Sequence, residues 1–131
     1  DASAAKAKVT ALLEANAVPA NTADTVAATV TSPWLRFFMS YDPVPTLRQV
    51  RCPVLAIDGS LDLQVPPEED LAAIKAALSA NPDVTVKKLP GLNHLFQTAK
   101  TGAPNEYGEI EETIAPAALA VIGDWIVERT R

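Results

Sequence analysis

Val54-Leu55-Ala56-Ile57 is a continuous apolar run closed by Asp58-Gly59-Ser60. A run of this length and texture predicts a parallel strand buried on both faces. The turn after it leads into a helix opening near Pro66-Pro67-Glu68-Glu69. There the prolines suit the first turn, and the carboxylates suit the positive end of the helix dipole. Leu71, Ile74 and Leu78 mark the buried side of that helix, and Asn81-Pro82-Asp83 breaks it. Val84 to Leu89 forms a second strand with Val84 and Val86 on one face, ended by Pro90-Gly91. Two strands joined through a helix make a right-handed crossover unit, so the expected fold class is α/β, with parallel strands and flanking helices.

The rest of the chain is organised around this unit. Residues 1–50 are Ala-rich and helical in pattern. Val9, Leu12 and Leu13 recur at helical spacing, as do Ala23, Val26, Ala27 and Val30 after a cap expected at Asn21 or Thr22. Ser32-Pro33 caps a short apolar helix through Trp34, Leu35, Phe37, Phe38 and Met39 that Asp42-Pro43 should end. These helices are expected to act as a cap or lid, with a second segment running over 51–131. Within that segment, a polar loop spans Gln97 to Tyr107. The last helix should carry Ile114, Ala118, Val121, Ile122, Trp125 and Ile126 as one stripe across the sheet.

Composition removes several function classes. The 131 residues, 48% of them hydrophobic, can bury one core. The chain opens at Asp1 without an initiator Met, which leads us to expect that an upstream part has been removed. A net charge of −5 with scattered Lys and Arg argues against a nucleic-acid-binding face, which needs clustered cations. The longest apolar runs are far too short to cross a bilayer. Cys52 is the only cysteine, so no internal disulfide can form, and its place at the entry to a strand predicts a packing role. The acids Glu68, Glu69 and Asp70, like Glu109, Glu111 and Glu112, read as solvated helix-start charges. With a single histidine, a zinc site built from this chain alone is not expected. Five glycines spread singly make no phosphate-cradling loop. Localisation stays open.

Chemistry gathers at the carboxyl ends of parallel strands, because the loops there converge on one crevice. Asp62 follows the first strand and His94 the second. A carboxylate that accepts a hydrogen bond from one imidazole nitrogen fixes the tautomer, and the other nitrogen can then take a proton from a nucleophile. The Asp62 carboxylate is therefore expected within reach of one ring nitrogen of His94, with the other nitrogen toward open space.

Gly59-Ser60-Leu61-Asp62-Leu63-Gln64-Val65-Pro66 and Gly91-Leu92-Asn93-His94 resemble the Gly-x-x-Asp-x-x-Val-Pro and Gly-x-x-His motifs of α/β-hydrolases, particularly the serine esterase-like members. The resemblance covers residues 33 to 131 and implies the C-terminal half of that fold. The earlier helices look like part of the family's variable cap. Carried over residue by residue, Asp62 is the triad acid and His94 the triad base, in the family's order of acid before histidine. Asp58 competes for the acid's role, but the motif leaves its position variable. The family's nucleophile elbow Gly-x-Ser-x-Gly and its oxyanion-hole loop lie upstream and have no counterpart here. Ser60 sits on the acid's own loop and is expected to be a turn residue beside Gly59. The implied function is cleavage of small-molecule carboxylic esters without a cofactor, and this chain alone is expected to be inactive. The alternatives are a peptidase or other acyl hydrolase of the same fold, or a non-catalytic fragment or subunit that completes a partner's sheet. The implied partner is the missing half that carries the serine, and self-association through an uncovered sheet edge is a further expectation. The Trp34, Phe37, Phe38 and Met39 cluster either lines an acyl pocket or packs its own helix.

Overall fold

A computed structural model of the chain describes residues 2–131. It divides into two compact units, one ending at Asp42 and one spanning Pro43–Arg131. The first unit is helical, with α1 (Ala2–Ala15), α2 (Ala20–Val30) and α3 (Pro33–Ser40). α1 packs on α2, and the small side chains of Ala23 and Ala27 are fully buried. Lys6 Nζ reaches Asp24 Oδ1 at 2.8 Å between the two helices. α2 opens two or three residues earlier than its sequence suggests. Pro19 occupies the cap position and accepts Ala23 N–H through its carbonyl at 2.8 Å, so Asn21 and Thr22 fall inside the helix. α3 begins as expected, with Ser32 Oγ accepting Leu35 N–H at 3.2 Å and Pro33 in the first turn.

The second unit contains α4 (Val44–Leu47), β1 (Val54–Gly59), α5 (Pro67–Ala77), β2 (Val84–Leu89), a 3₁₀ helix over Pro104–Glu109, and α6 (Pro116–Thr130). β1 and β2 are parallel and in register, from Val54 opposite Val84 to Gly59 opposite Leu89. The strand, helix and strand read from the sequence therefore form a mixed α/β unit. α4 packs against α5 and belongs to this unit.

α5 turns Leu71 and Leu78 inward and contacts both strands. The buried centre joins Leu89 and Leu92 to Ala115 and Ala118, with Ile57, Phe96 and Val121 packed around them. α6 is fastened to the start of β2. Trp125 Nε1 donates to Thr85 Oγ1 at 3.1 Å, and the Arg129 guanidinium lies 4.3 Å above the Trp125 ring while donating to Asp83. Its inward stripe is shorter than expected, because Ile114 precedes the helix and Ile126 is exposed. The strands are also less covered than expected. Val54 to Ile57 are only half-buried, because β1 has a single strand neighbour among the described residues and an apolar groove on each face. One groove, of about 610 Å³, runs between α4, α5 and β1, and the other, of about 460 Å³, lies between β1 and α6.

Candidate active site

The carboxyl ends of β1 and β2 are stitched together by their backbones. Ser60 N–H donates to Leu89 O at 2.8 Å, and Leu61 N–H donates to Leu92 O at 2.9 Å. This close approach requires a glycine at 59, where a Cβ would collide with the carbonyls of Leu92 and Asn93. Gly91 turns the other loop with φ of +73°, a left-handed conformation that glycine adopts without strain. Ser60 Oγ accepts the Gly91 N–H at 2.8 Å, so the serine ties one loop to the other.

Asp62 is held on both oxygens. Oδ1 accepts the N–H groups of Gln64 at 2.8 Å and Val65 at 2.9 Å, and Oδ2 lies 2.8 Å from His94 Nδ1. The Asp62 side chain is 4% exposed and that of His94 37%, so the acid is withdrawn from water while the ring remains reachable. Burial pushes the Asp62 carboxyl up, but the Val65 N–H, the His94 ring and the Gln64 N–H together outweigh it and hold the group below its usual range. An ionised carboxylate at this distance accepts a hydrogen bond donated by Nδ1–H, the tautomer in which Nε2 is the acceptor nitrogen.

The turn bearing His94 has its own scaffold. Asn93 is fully buried, and its Oδ1 accepts the N–H groups of Leu95 at 3.0 Å and Gln97 at 2.9 Å. Its Nδ2 donates to Gln97 Oε1 at 3.0 Å, and Gln97 Nε2 donates to Glu112 O at 3.1 Å. Phe96, with φ of +57°, occupies a region that costs a non-glycine residue about 1–3 kcal/mol and persists only where its surroundings fix it. Here the fixing bonds are Phe96 N–H to Asn93 O at 2.9 Å and Ala115 N–H to Phe96 O at 2.8 Å. The polar loop beyond then folds back onto the acid's loop. Gly102, with φ of +80°, abuts the Leu61 carbonyl too closely for any side chain, and Gln64 Nε2 donates to Tyr107 Oη at 3.0 Å.

A cavity of about 250 Å³ opens beside the pair, lined by Asp58, Asp62 and His94 with apolar walls that include Ile57, Ile74 and Phe96. Asp58 does not reach His94 and instead accepts the Gly59 N–H at 2.7 Å. Burial pushes its carboxyl up, joined by the charges of Asp62 and Asp70 against the pull of that N–H. No serine is among the cavity's lining residues. Cys52 is exposed and precedes β1, at the strand end away from this cavity, so the packing role expected for it does not hold.

Asn93, Gln97, Gly102 and Tyr107 all shape the site, and the sequence pattern did not single them out. The available signal was a polar residue inside Gly-x-x-His and a lone glycine in a polar loop. In the first unit, Trp34 stacks on Phe38 at 5.5 Å and Phe37 tilts on Tyr41 at 5.6 Å, with Trp34 69% and Met39 76% exposed. These side chains pack among themselves along α3 and fill no core. Among the described residues, no helix is long and apolar enough to cross a membrane. Compared with known proteins, the chain matches no protein-family model, no curated protein and no solved structure.

Proposed function

We propose that this chain supplies the acid and base of a serine hydrolase of carboxylic esters, with Asp62 orienting His94 and His94 Nε2 serving as general base and then general acid. The observation that carries this is the Asp62–His94 contact at 2.8 Å, in which a carboxylate buried under three donors meets a ring open to solvent. A serine presented to Nε2 would lose its proton as it attacks the acyl carbon. The imidazolium would then protonate the leaving alcohol, and water would release the acyl group by the same route. Asp62 stays ionised throughout and stabilises the imidazolium.

The serine comes from outside these 131 residues. Ser60 is committed to the Gly91 N–H, and the dyad's cavity has no serine in its wall. The covering half would sit over β1, because the groove between α4 and α5 shares Ile57, Asp70, Ile74 and Phe96 with the dyad's cavity and is continuous with it. Parallel sheets are stable when both faces are covered, so a two-stranded piece with apolar grooves on both faces favours this reading over a free-standing module.

The test is activity-based labelling of the whole protein with a fluorophosphonate, followed by mapping of the modified serine. Labelling at a serine outside this segment, lost in His94→Ala and kept in Ser60→Ala, is the expected result. Labelling of Ser60, or labelling indifferent to His94, would sink the proposal.

A further inference from the structure

His94 rides near the tip of a hairpin-like loop whose interior is filled by two carboxamides. Leu92 and Thr98 bridge antiparallel, Ala99 N–H donates to Gly91 O at 2.9 Å, and Asn93 N–H donates to Gln97 O at 3.0 Å. Asp62 holds one nitrogen of a ring that is 37% exposed, so the direction of the ring depends on the backbone beneath it. Asn93, fully buried, and Gln97, 6% exposed, lie inside the loop, and the acid-base scheme gives neither a task.

The two carboxamides run in one direction only. Leu95 N–H and Gln97 N–H both donate to Asn93 Oδ1, which leaves Asn93 Nδ2 as the donor to Gln97 Oε1. Gln97 Nε2 then donates to Glu112 O, on the segment that leads into α6. Reversing either amide would set donor against donor or acceptor against acceptor across a buried contact, so backbone groups at the two ends of the chain of bonds fix both orientations. The backbone of Asn93 is fixed as well, because its carbonyl packs against Gly59 at the end of β1, on the acid's side of the rim. We propose that Asn93 is a positioning residue of the dyad: its carboxamide, held in one orientation by Gln97, sets the tip of the loop so that His94 Nδ1 faces Asp62 Oδ2. Backbone bonds close the loop, and the amide pair fixes how its tip is turned. A ring turned away from Asp62 loses the partner that selects the Nδ1–H tautomer. This rests on Asp62 being the residue that orients His94.

Imidazole nitrogen NMR of the chain, at a pH where the ring is neutral, reads the ratio of the two tautomers, and one histidine makes the signals unambiguous. The Nδ1–H form should dominate in the unmodified chain. Asn93→Ala keeps the backbone bonds of the loop but removes the acceptor for Leu95 and Gln97 N–H. It should lower the ratio of Nδ1–H to Nε2–H roughly fivefold, the worth of about one hydrogen bond. Gln97→Met keeps that acceptor and nearly the same volume, removes the lock on its orientation, and should lower the ratio about twofold. A ratio unchanged in Asn93→Ala, with only the thermal midpoint lowered, makes the amide pair architectural and overturns the proposal. Should Asn93→Ala fail to fold, Gln97→Met decides, and an unchanged ratio there overturns it. Asp62→Asn tests the underlying reading separately: a ratio unmoved by that substitution refutes the dyad itself. A ratio that falls in Asp62→Asn yet holds in the Asn93 and Gln97 variants refutes the positioning role alone.

Discussion

The two units hold themselves together over different distances along the chain. In the first, apart from the Lys6–Asp24 ion pair between α1 and α2, the side-chain hydrogen bonds stay within about one helical turn, as in Asn16 to Leu12 O, Thr25 to Asn21 O, Thr29 to Thr25 O and Ser40 to Phe37 O. The second has such local bonds too, but adds others that join residues far apart in sequence: Gly91 to Ser60, His94 to Asp62, Gln64 to Tyr107, Arg129 to Asp83. Local bonds make helices whose exposed faces tolerate change, whereas long-range bonds make a rim whose geometry depends on every member. The Asp62–His94 pair sits in the second kind of structure because such a pair needs two loops fixed against each other.

The largest effect of any single change should come from the bond that joins the two loops at the Asp62–His94 pair. Asp62→Asn is expected to lower kcat of the serine-bearing enzyme by about 10⁴ while leaving the fold intact, because an amide permits the wrong imidazole tautomer. Single-turnover ester hydrolysis with circular dichroism as control measures both halves of that statement. A loss below tenfold would mean that the Asp62–His94 contact is architectural.

Gly59→Ala probes the same rim through packing alone. The added methyl has to displace the Leu92 and Asn93 carbonyls, which are backbone and cannot rotate aside. A cost of about 3 kcal/mol in urea unfolding is expected, at the upper end for overpacking. Alanine tolerated there within a few tenths of a kcal/mol would show that the loops do not need this close approach.

Acidification should separate the two acids of the second unit by sign. Asp62 is held below its unfolded value, so its stabilisation is present above that value and lost as pH falls through the folded one. Asp58 is held above its unfolded value, so its contribution is present at low pH and lost as pH rises through the folded one. In urea midpoints against pH, the difference between the unmodified chain and Asp62→Asn should therefore shrink toward acid. The difference for Asp58→Asn should shrink toward alkali. Slopes of the same sign would contradict the unequal supply of donors to the two carboxyls.

Much of the scaffold was legible because periodicity and punctuation report local forces. Val54 to Ile57, the Pro66-Pro67 helix opening and the Ser32 cap each follow from residues next to one another. Asp62 and His94 were legible as positions, through glycines that had to make tight turns. The Asn93–Gln97 amide pair, the left-handed Phe96 and the seating of Gly102 on Leu61 were not. They arise where polar loops meet after the strands have paired, and nothing in hydrophobic pattern encodes that meeting. The coverage of β1 was misjudged for a related reason. A continuous apolar run states what a strand needs on its faces, whereas the half-buried result records what these 131 residues provide.

The smallest effect should come from the first unit, and it tests whether that unit is governed locally. Ala17 carries φ of +62° in the turn after α1, where its N–H donates to Glu14 O at 3.0 Å and the Val18 N–H donates to Leu13 O at 3.1 Å. The left-handed region costs an L-residue about 1–2 kcal/mol, and glycine avoids most of that while losing more backbone entropy on folding. Ala17→Gly keeps both backbone hydrogen bonds and is expected to stabilise the helical unit by about 0.5 kcal/mol. Helical circular dichroism should show a small rise in thermal midpoint, with the His94 imidazole signal unmoved because no bond to the rim has changed. A shift in that signal on substituting Ala17 would show that the helical unit feeds into the dyad, and the contrast between local and long-range architecture would then no longer separate structure from chemistry.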